Sequence, residues 1–228
     1  MIPAKTDIIK TRAYVVRRTN YGEADRIISL VTPLGKFSAM AKGVRRPRSK
    51  LAGGIEMFTR SEVVLHAGRG ELMTLTSAKM ERYMGRIAAE LLKMELAGVI
   101  LKRVGMAAED SDNPEFFAIL DQSLMSLDAG VETTAIEAWF WLNLAQARGE
   151  QVNLHRDSMG ELLRPDARYS WNMAEDVLTM REDGVIDANA IKLMRLMLTT
   201  PLSVVSRVKG MERYMPEIVK IARAVNKT

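Results

Sequence analysis

The spacing of apolar residues along the chain changes once, near residue 82. Before that point they recur at every second position. In IIKTRAYVVRR (8–18), Lys10, Arg12 and Tyr14 alternate with Ile9, Thr11, Ala13 and Val15, the period of a strand with one solvated, basic face. DRIISLVTPLG (25–35) is rich in β-branched residues and stops at Pro33 and Gly35, which turn the chain into KFSAMAKG (36–43). RSEVVLHA (60–67) and ELMTLTSAKM (71–80) flank GRG (68–70), a hairpin loop with glycine at each end. Five short strands with one long connection between the third and fourth predict a small barrel, closed or partly open. The OB-fold has that strand count, and such barrels bind single-stranded nucleic acid on their face and loops.

From residue 82 onward the period is helical. Ile87, Leu91, Met94, Gly98, Leu101 and Val104 recur at three and four, the stripe of one amphipathic helix. Asn113-Pro114 opens a second helix, with Asn as the cap and Pro in the first turn. Thr134 and Glu137 form a capping box for a third, which runs through AWFWLNLA (138–145) to Gly149 and is apolar enough for burial on several sides. Asp187, Thr200-Pro201 and Pro216 start further helices. Residues 150–186 are polar and irregular, too long for a structureless loop in a compact domain, so they read as a small subdomain or a mobile insertion. The prediction is therefore an α+β chain, with an OB-fold domain over 1–81 and a helical domain over 82–228 that carries the 150–186 insertion.

Composition narrows the chemistry. Apolar residues at 47% and charged residues at 27% are ordinary globular usage, which excludes wholesale disorder. The chain has no cysteine, which removes disulfides and thiolate catalysis, and His66 and His155 alone do not make an ordinary zinc site. No metal and no cofactor is expected. No Walker A, GxGxxG, HExxH or GxSxG pattern occurs. Glu23 and Asp25 read as part of a polar turn whose carboxylates pair with arginines such as Arg26. An enzyme is the least supported class. The N-terminus lacks a signal-peptide core and no apolar run is long enough to span a bilayer, so a cytoplasmic protein without membrane contact is expected. The 16 methionines, set at helical spacing, read as core filler.

Charge points to a partner. Residues 1–80 hold 15 Lys and Arg against 6 Asp and Glu, a net +9, while residues 81–228 are net −4. Such asymmetry directs a polyanion to the first half. Its densest stretch is AKGVRRPRSKLAGG (41–54), which places Lys42, Arg45, Arg46, Arg48 and Lys50 within nine positions. Lysine and arginine that neutralise phosphates release counterions, the main source of affinity without sequence preference. Pro47 disfavours a helix here and keeps Arg46 extended. Tyr14, Tyr21, Phe37 and Phe58 are the candidate base-stacking aromatics, with burial the competing use for Phe37 and Phe58.

YGEADRI (21–27), the LGK turn (34–36), AKGVRRPRSKLAG (41–53) and TLT (74–76), standing in this order, make the chain resemble the RecO family of bacterial recombination mediators. The likeness is strong over roughly 75 residues and softer over the helical remainder. It implies an OB-fold followed by helices, and a non-catalytic protein that binds single- and double-stranded DNA and anneals complementary strands. It also implies three partners: RecR, the acidic C-terminal tail of single-strand binding protein, and, indirectly, the RecA filament. On this likeness the loop of Lys42, Arg45, Arg46, Arg48 and Lys50, with Lys36 before it, contributes to the DNA-binding surface, and Lys10, Arg12 and Arg69 of the basic first half complete the candidate DNA-binding residues. A tail ending in acidic residues and a terminal Phe needs an apolar pocket rimmed by cations. Lys102 and Arg103 on the first long helix and Arg148 at the end of the Trp139/Trp141 helix are the candidates, rimming a groove between the two. Many members carry a four-cysteine zinc module after the helical bundle. The corresponding stretch here keeps Gly160 but has no cysteine, so the subdomain is expected to persist without metal, held by Leu162, Tyr169, Trp171 and Val177. Two rival readings stay open at this point: an RNA-binding OB protein of translation or RNA processing, and a scaffold whose basic domain grips an acidic protein.

Overall fold

The structure, a computed structural model, describes residues 8–226 apart from 69, 71 and 151. It divides into two compact units, Met1–Asp128 and Ala129–Thr228. In the first unit, strands β1 (Ile8–Tyr21), β2 (Asp25–Thr32), β3 (Gly35–Ala41), β4 (Thr59–His66) and β5 (Met73–Tyr83) close into a barrel in the order β1-β2-β3-β5-β4. All neighbours are antiparallel except β3 and β5, whose short parallel pairing (Ala39 opposite Met73) closes the ring. Five strands in that order, followed by helices, give the α+β chain with an N-terminal OB-fold that the periodicity predicts.

Inward positions of every strand fill the barrel: Ala13 and Val15, Ile28 and Leu30, Ala39, Val63 and Leu65, Met73 and Leu75. Along β1, however, Ala13, Tyr14 and Val15 are buried in succession, which a two-residue period does not give. Tyr14 points out of the barrel and is covered by α3 (Glu115–Ala129), where its ring lies 5.8 Å from that of Phe117. The basic face predicted for β1 is thus solvated only in part, and Tyr14 is not available to stack on a base.

The helical stripe from Ile87 to Val104 is two helices, α1 (Gly85–Ala89) and α2 (Leu91–Asp110), broken at Glu90, whose backbone is extended. Leu91, Met94 and Gly98 are exposed, and the buried face of α2 runs instead through Ala97, Ile100, Leu101, Val104, Gly105 and Ala108. The C-terminal half of α2 determines this rotation, because Gly105 brings the helix against Val16 of β1 too closely for a larger residue to fit without adjustment. Asn113 Oδ1 accepts from the Glu115 amide at the start of α3, the capping its Asn-Pro signal predicts.

In the second unit, α4 (Thr133–Ala147) is buried along most of its length and packs against α5 (Ala188–Thr199) and α7 (Met215–Ala224), with the short α6 (Leu202–Val205) between these two in sequence. Its cap is Glu132, whose carboxylate accepts from the Ala135 amide, and not the Thr134/Glu137 box. Glu137 is instead turned to Arg223 and the Trp141 indole.

The described residues of the 150–186 segment form a folded subdomain. Its hairpin, β6 (Tyr169–Asn172) with β7 (Val177–Met180), buries Tyr169, Trp171 and Leu178. Leu162 is 64% exposed and Val177 only half-buried, so Val152, Leu154 and Ile186 take the anchoring expected of those two. Beside the hairpin, the Asp157 carboxylate accepts from the Met159 and Glu161 amides and closes the turn around Gly160. Methionine serves as core filler at Met84, Met194, Met197 and Met215, whereas Met106, Met159, Met173 and Met180 are exposed.

Candidate nucleic-acid interface

The connection from β3 to β4 carries the dense cationic run. It is a series of tight turns, with Arg46 N–H donating to Gly43 O and Ser49 N–H to Arg46 O. Val44 is buried in the barrel core, and Leu51 and Ile55 pack on that core beyond the run, so apolar anchors hold the loop on both sides. A 3-10 turn, Ala52–Ile55, lies so close to β5 that a Cβ on Gly54 would meet Ala78 O at 2.3 Å. Only glycine fits there.

Polar bonds complete the anchoring. Asp25 Oδ1 accepts from the Gly43 amide at 2.7 Å, and Arg45 N–H donates to Ala24 O at 2.9 Å. The Arg45 guanidinium also reaches Gly22 O. Asp25 therefore serves the loop rather than Arg26, which donates to Asn20. Nothing in the local sequence around Asp25 marks this role, because its partner lies 18 residues on, just past the end of β3.

Between these anchors Lys42, Arg45, Arg46, Arg48 and Lys50 are all exposed, and among the described residues none of the five forms an ion pair. Uncompensated arginine and lysine on a backbone held at several points lose little order on meeting phosphate. Tyr21, at the end of β1 and next to the Gly22 carbonyl that Arg45 reaches, is 55% exposed. Of the four candidate aromatics it alone combines exposure with contact to this loop's support; Phe37 and Phe58 are half-buried.

The other predicted cations are held by carboxylates. Lys10 pairs with Glu62 at 3.2 Å and Arg12 with Glu81 at 3.2 Å. Lys36, largely buried, donates to Gly105 O and to Glu109, tying β3 to the last turns of α2. That hydrogen bond and the lysine's charge hold the Glu109 carboxyl below its ordinary range. Arg69 lies outside the described residues. Lys102 is exposed and Arg103 half-buried on α2 in the first unit, whereas Arg148 follows α4 in the second and pairs with Glu150 at 3.0 Å.

A further polar network sits under α3. The Tyr14 hydroxyl donates to Asp121 Oδ1 at 2.7 Å, and Arg60 bridges Asp121 to Glu81. Burial pushes the Tyr14 phenol well above its ordinary value, and the neighbouring Asp121 charge adds to the rise. Among the described residues no group of three or more His, Asp or Glu is placed to hold a metal ion, and no helix is long and apolar enough to cross a membrane.

Residues 6–84 match the family described as "Recombination protein O N terminal". A DNA repair protein RecO of Dehalococcoides mccartyi is 30% identical across 94% of this chain and 88% of its own length. One of Roseiflexus sp. is 32% identical, over 65% of this chain and 52% of that protein. One of Bacillus cereus is 33% identical, over 54% of this chain and 50% of that protein.

Proposed function

The chain belongs to the RecO family of DNA repair proteins, and from that premise we propose that it is a recombination mediator: it binds single- and double-stranded DNA, anneals complementary strands and assists RecA loading. The observation that carries the reading is the loop of five exposed cations without ion pairs, held to the barrel by Val44, Asp25 and Ile55. Contacts of this kind go to phosphates, carry no sequence preference and weaken with salt.

Within the predicted set, Lys42, Arg45, Arg46, Arg48 and Lys50 make the primary contacts. Lys10, Arg12 and Lys36, each already facing a carboxylate, have a secondary part. The barrel of residues 1–81 is the nucleic-acid-binding module, and residues 82–228, with the 150–186 subdomain, supply partner contacts. Those partners are RecR and the acidic tail of single-strand binding protein, with Lys102, Arg103 and Arg148 the cations offered to that tail. The protein works in the cytoplasm without a catalytic step of its own.

The test is annealing of complementary oligonucleotides coated with single-strand binding protein, with and without the chain, beside a competition between RNA and single-stranded DNA of equal length. Accelerated annealing and preference for DNA support the reading. Preference for RNA without annealing assigns the barrel to RNA instead, and no oligonucleotide binding at low salt leaves an acidic protein as its ligand. Calorimetric titration with a tail peptide tests the partner cations: Arg148→Glu abolishes the binding, and a Lys102/Arg103 double reversal weakens it, while DNA binding stays normal.

A further inference from the structure

The second unit is electrically neutral as a whole, but its charges are segregated along the chain. Residues 129–187 hold 5 Lys and Arg against 11 Asp and Glu, and residues 188–228 hold 8 against 2. The cationic part is a net +6 within 41 residues, a density comparable to that of the barrel.

The fold gathers part of this charge around α5. On one side of the helix an open cleft of about 490 Å³ is floored by Leu193, Leu196 and Val208 and rimmed by Lys192, Lys209 and Arg213. On the other side a cleft of about 810 Å³ brings in Arg195 and His155, and Lys192 lines both. Lys192 therefore joins the two clefts into one cationic path over the exposed side of α5. Among the described residues no carboxylate pairs with Lys192, Arg207, Lys209 or Arg213. The opposing charges in this part of the chain are Glu212, exposed beside Arg213, and Glu217, which pairs with Lys220 at 3.5 Å. Arg195 adds charge but no free fork, since its Nε and Nη2 both donate to Leu154 O.

At the rim, the Arg213 guanidinium lies 4.5 Å above the Tyr214 ring and donates to the Tyr214 hydroxyl. A stacked guanidinium and aromatic ring form a flat cationic surface on which a nucleobase can lie while its phosphate meets the neighbouring lysines. The unpaired cations along the path can also meet carboxylates, so an acidic peptide is the competing ligand in the experiment. We propose that the path formed by Lys192, Lys209, Arg213 and Tyr214 is a second nucleic-acid-binding surface, separate from the β3–β4 loop, which gives one chain a site for each of two strands. The inference rests on the reading of the chain as a nucleic-acid binder and assigns that activity a second location.

The experiment uses the full chain in three forms: wild type, a triple variant Lys192→Gln/Lys209→Gln/Arg213→Gln, and the loop variant Arg45→Ala/Arg46→Ala/Arg48→Ala. A Lys192→Glu/Lys209→Glu reversal is the second variant of the surface, and circular dichroism checks each fold. Oligothymidylate binding is followed against salt, and the number of short oligonucleotides held per chain is counted. The proposal expects the triple Gln variant to lower the logarithmic salt slope by about 2, at roughly 0.7 per phosphate contact on single strands. It also expects that count to fall from two to one, both in this variant and in the loop variant. An unchanged slope and count in both surface variants, with loss in the loop variant, overturns the second surface and leaves the loop reading intact. Loss of acidic-peptide binding in the surface variants, with oligonucleotide binding unchanged, assigns the path to a protein and also overturns it. No oligonucleotide binding by the wild-type chain removes both readings.

Discussion

Asp25 Oδ1 accepts the Gly43 amide proton at 2.7 Å, which ties the start of the cationic loop to β2. One carboxylate at the start of β2 thus holds the residues proposed to meet phosphate. Asp25→Ala removes the acceptor and Asp25→Asn keeps one, while both remove the negative charge. The Ala variant is expected to bind DNA several-fold more weakly than the Asn variant and to be less stable by about 1 kcal/mol, the net worth of one hydrogen bond. Anisotropy titrations and urea unfolding measure the two effects, and equal behaviour of the two variants would remove Asp25 from the account.

Loop cations without ion pairs and cations with carboxylate partners should respond differently. Replacing Arg45, Arg46 and Arg48 together with Ala lowers the salt slope on single strands by about 2 and changes thermal stability little, because all three are exposed and, among the described residues, only the Arg45 bond to Gly22 O is lost. Lys36→Met does the reverse. It removes the bonds to Gly105 O and Glu109, costs about 1 kcal/mol of stability, and has a smaller effect on the slope. A salt titration beside a melting curve for each variant separates the two classes.

The buried Tyr14 phenol makes the fold sensitive to alkali. Its folded-state pKa is raised, above all by burial, so its contribution to stability is fully present below the unfolded tyrosine value near pH 10. Above that pH the unfolded chain gives up the proton while the folded chain keeps it, and stability falls by up to about 1.4 kcal/mol per pH unit. Tyr14→Phe removes this pH dependence and costs about 1–2 kcal/mol at neutral pH, because Asp121 loses one of its donors while Arg60 remains. Urea unfolding of both forms between neutral pH and pH 11 checks the slope.

The subdomain at 150–186 closes its Gly160 turn with a side chain. Asp157, 9% exposed, accepts two amide protons across that turn. Chelators are expected to leave the melting temperature unchanged, and elemental analysis to find less than stoichiometric zinc. Asp157→Ala destabilises by about 1–3 kcal/mol, and Asp157→Asn, which keeps an acceptor, by less. About one zinc per chain would overturn this account.

The barrel was legible in the sequence because an alternation of inward and outward residues is a local consequence of strand geometry. Ile28 and Leu30, or Val63 and Leu65, announce their own direction. The helix starts at Asn113 and Asp187 were legible for the same reason, since a cap and the amides it accepts are neighbours in the chain. The dense cationic run was legible from composition alone. Tertiary structure decided what each charged or aromatic residue faces. Tyr14, Lys10 and Arg12 share one strand face and one pattern, yet α3 buries the first while Glu62 and Glu81 pair with the others. Asp25 and Lys36 find their partners on other elements, at Gly43, Gly105 and Glu109. Periodicity records which way a side chain points. Whether solvent, an ion pair or a helix meets it there depends on packing between segments distant in sequence, and no local pattern encodes that.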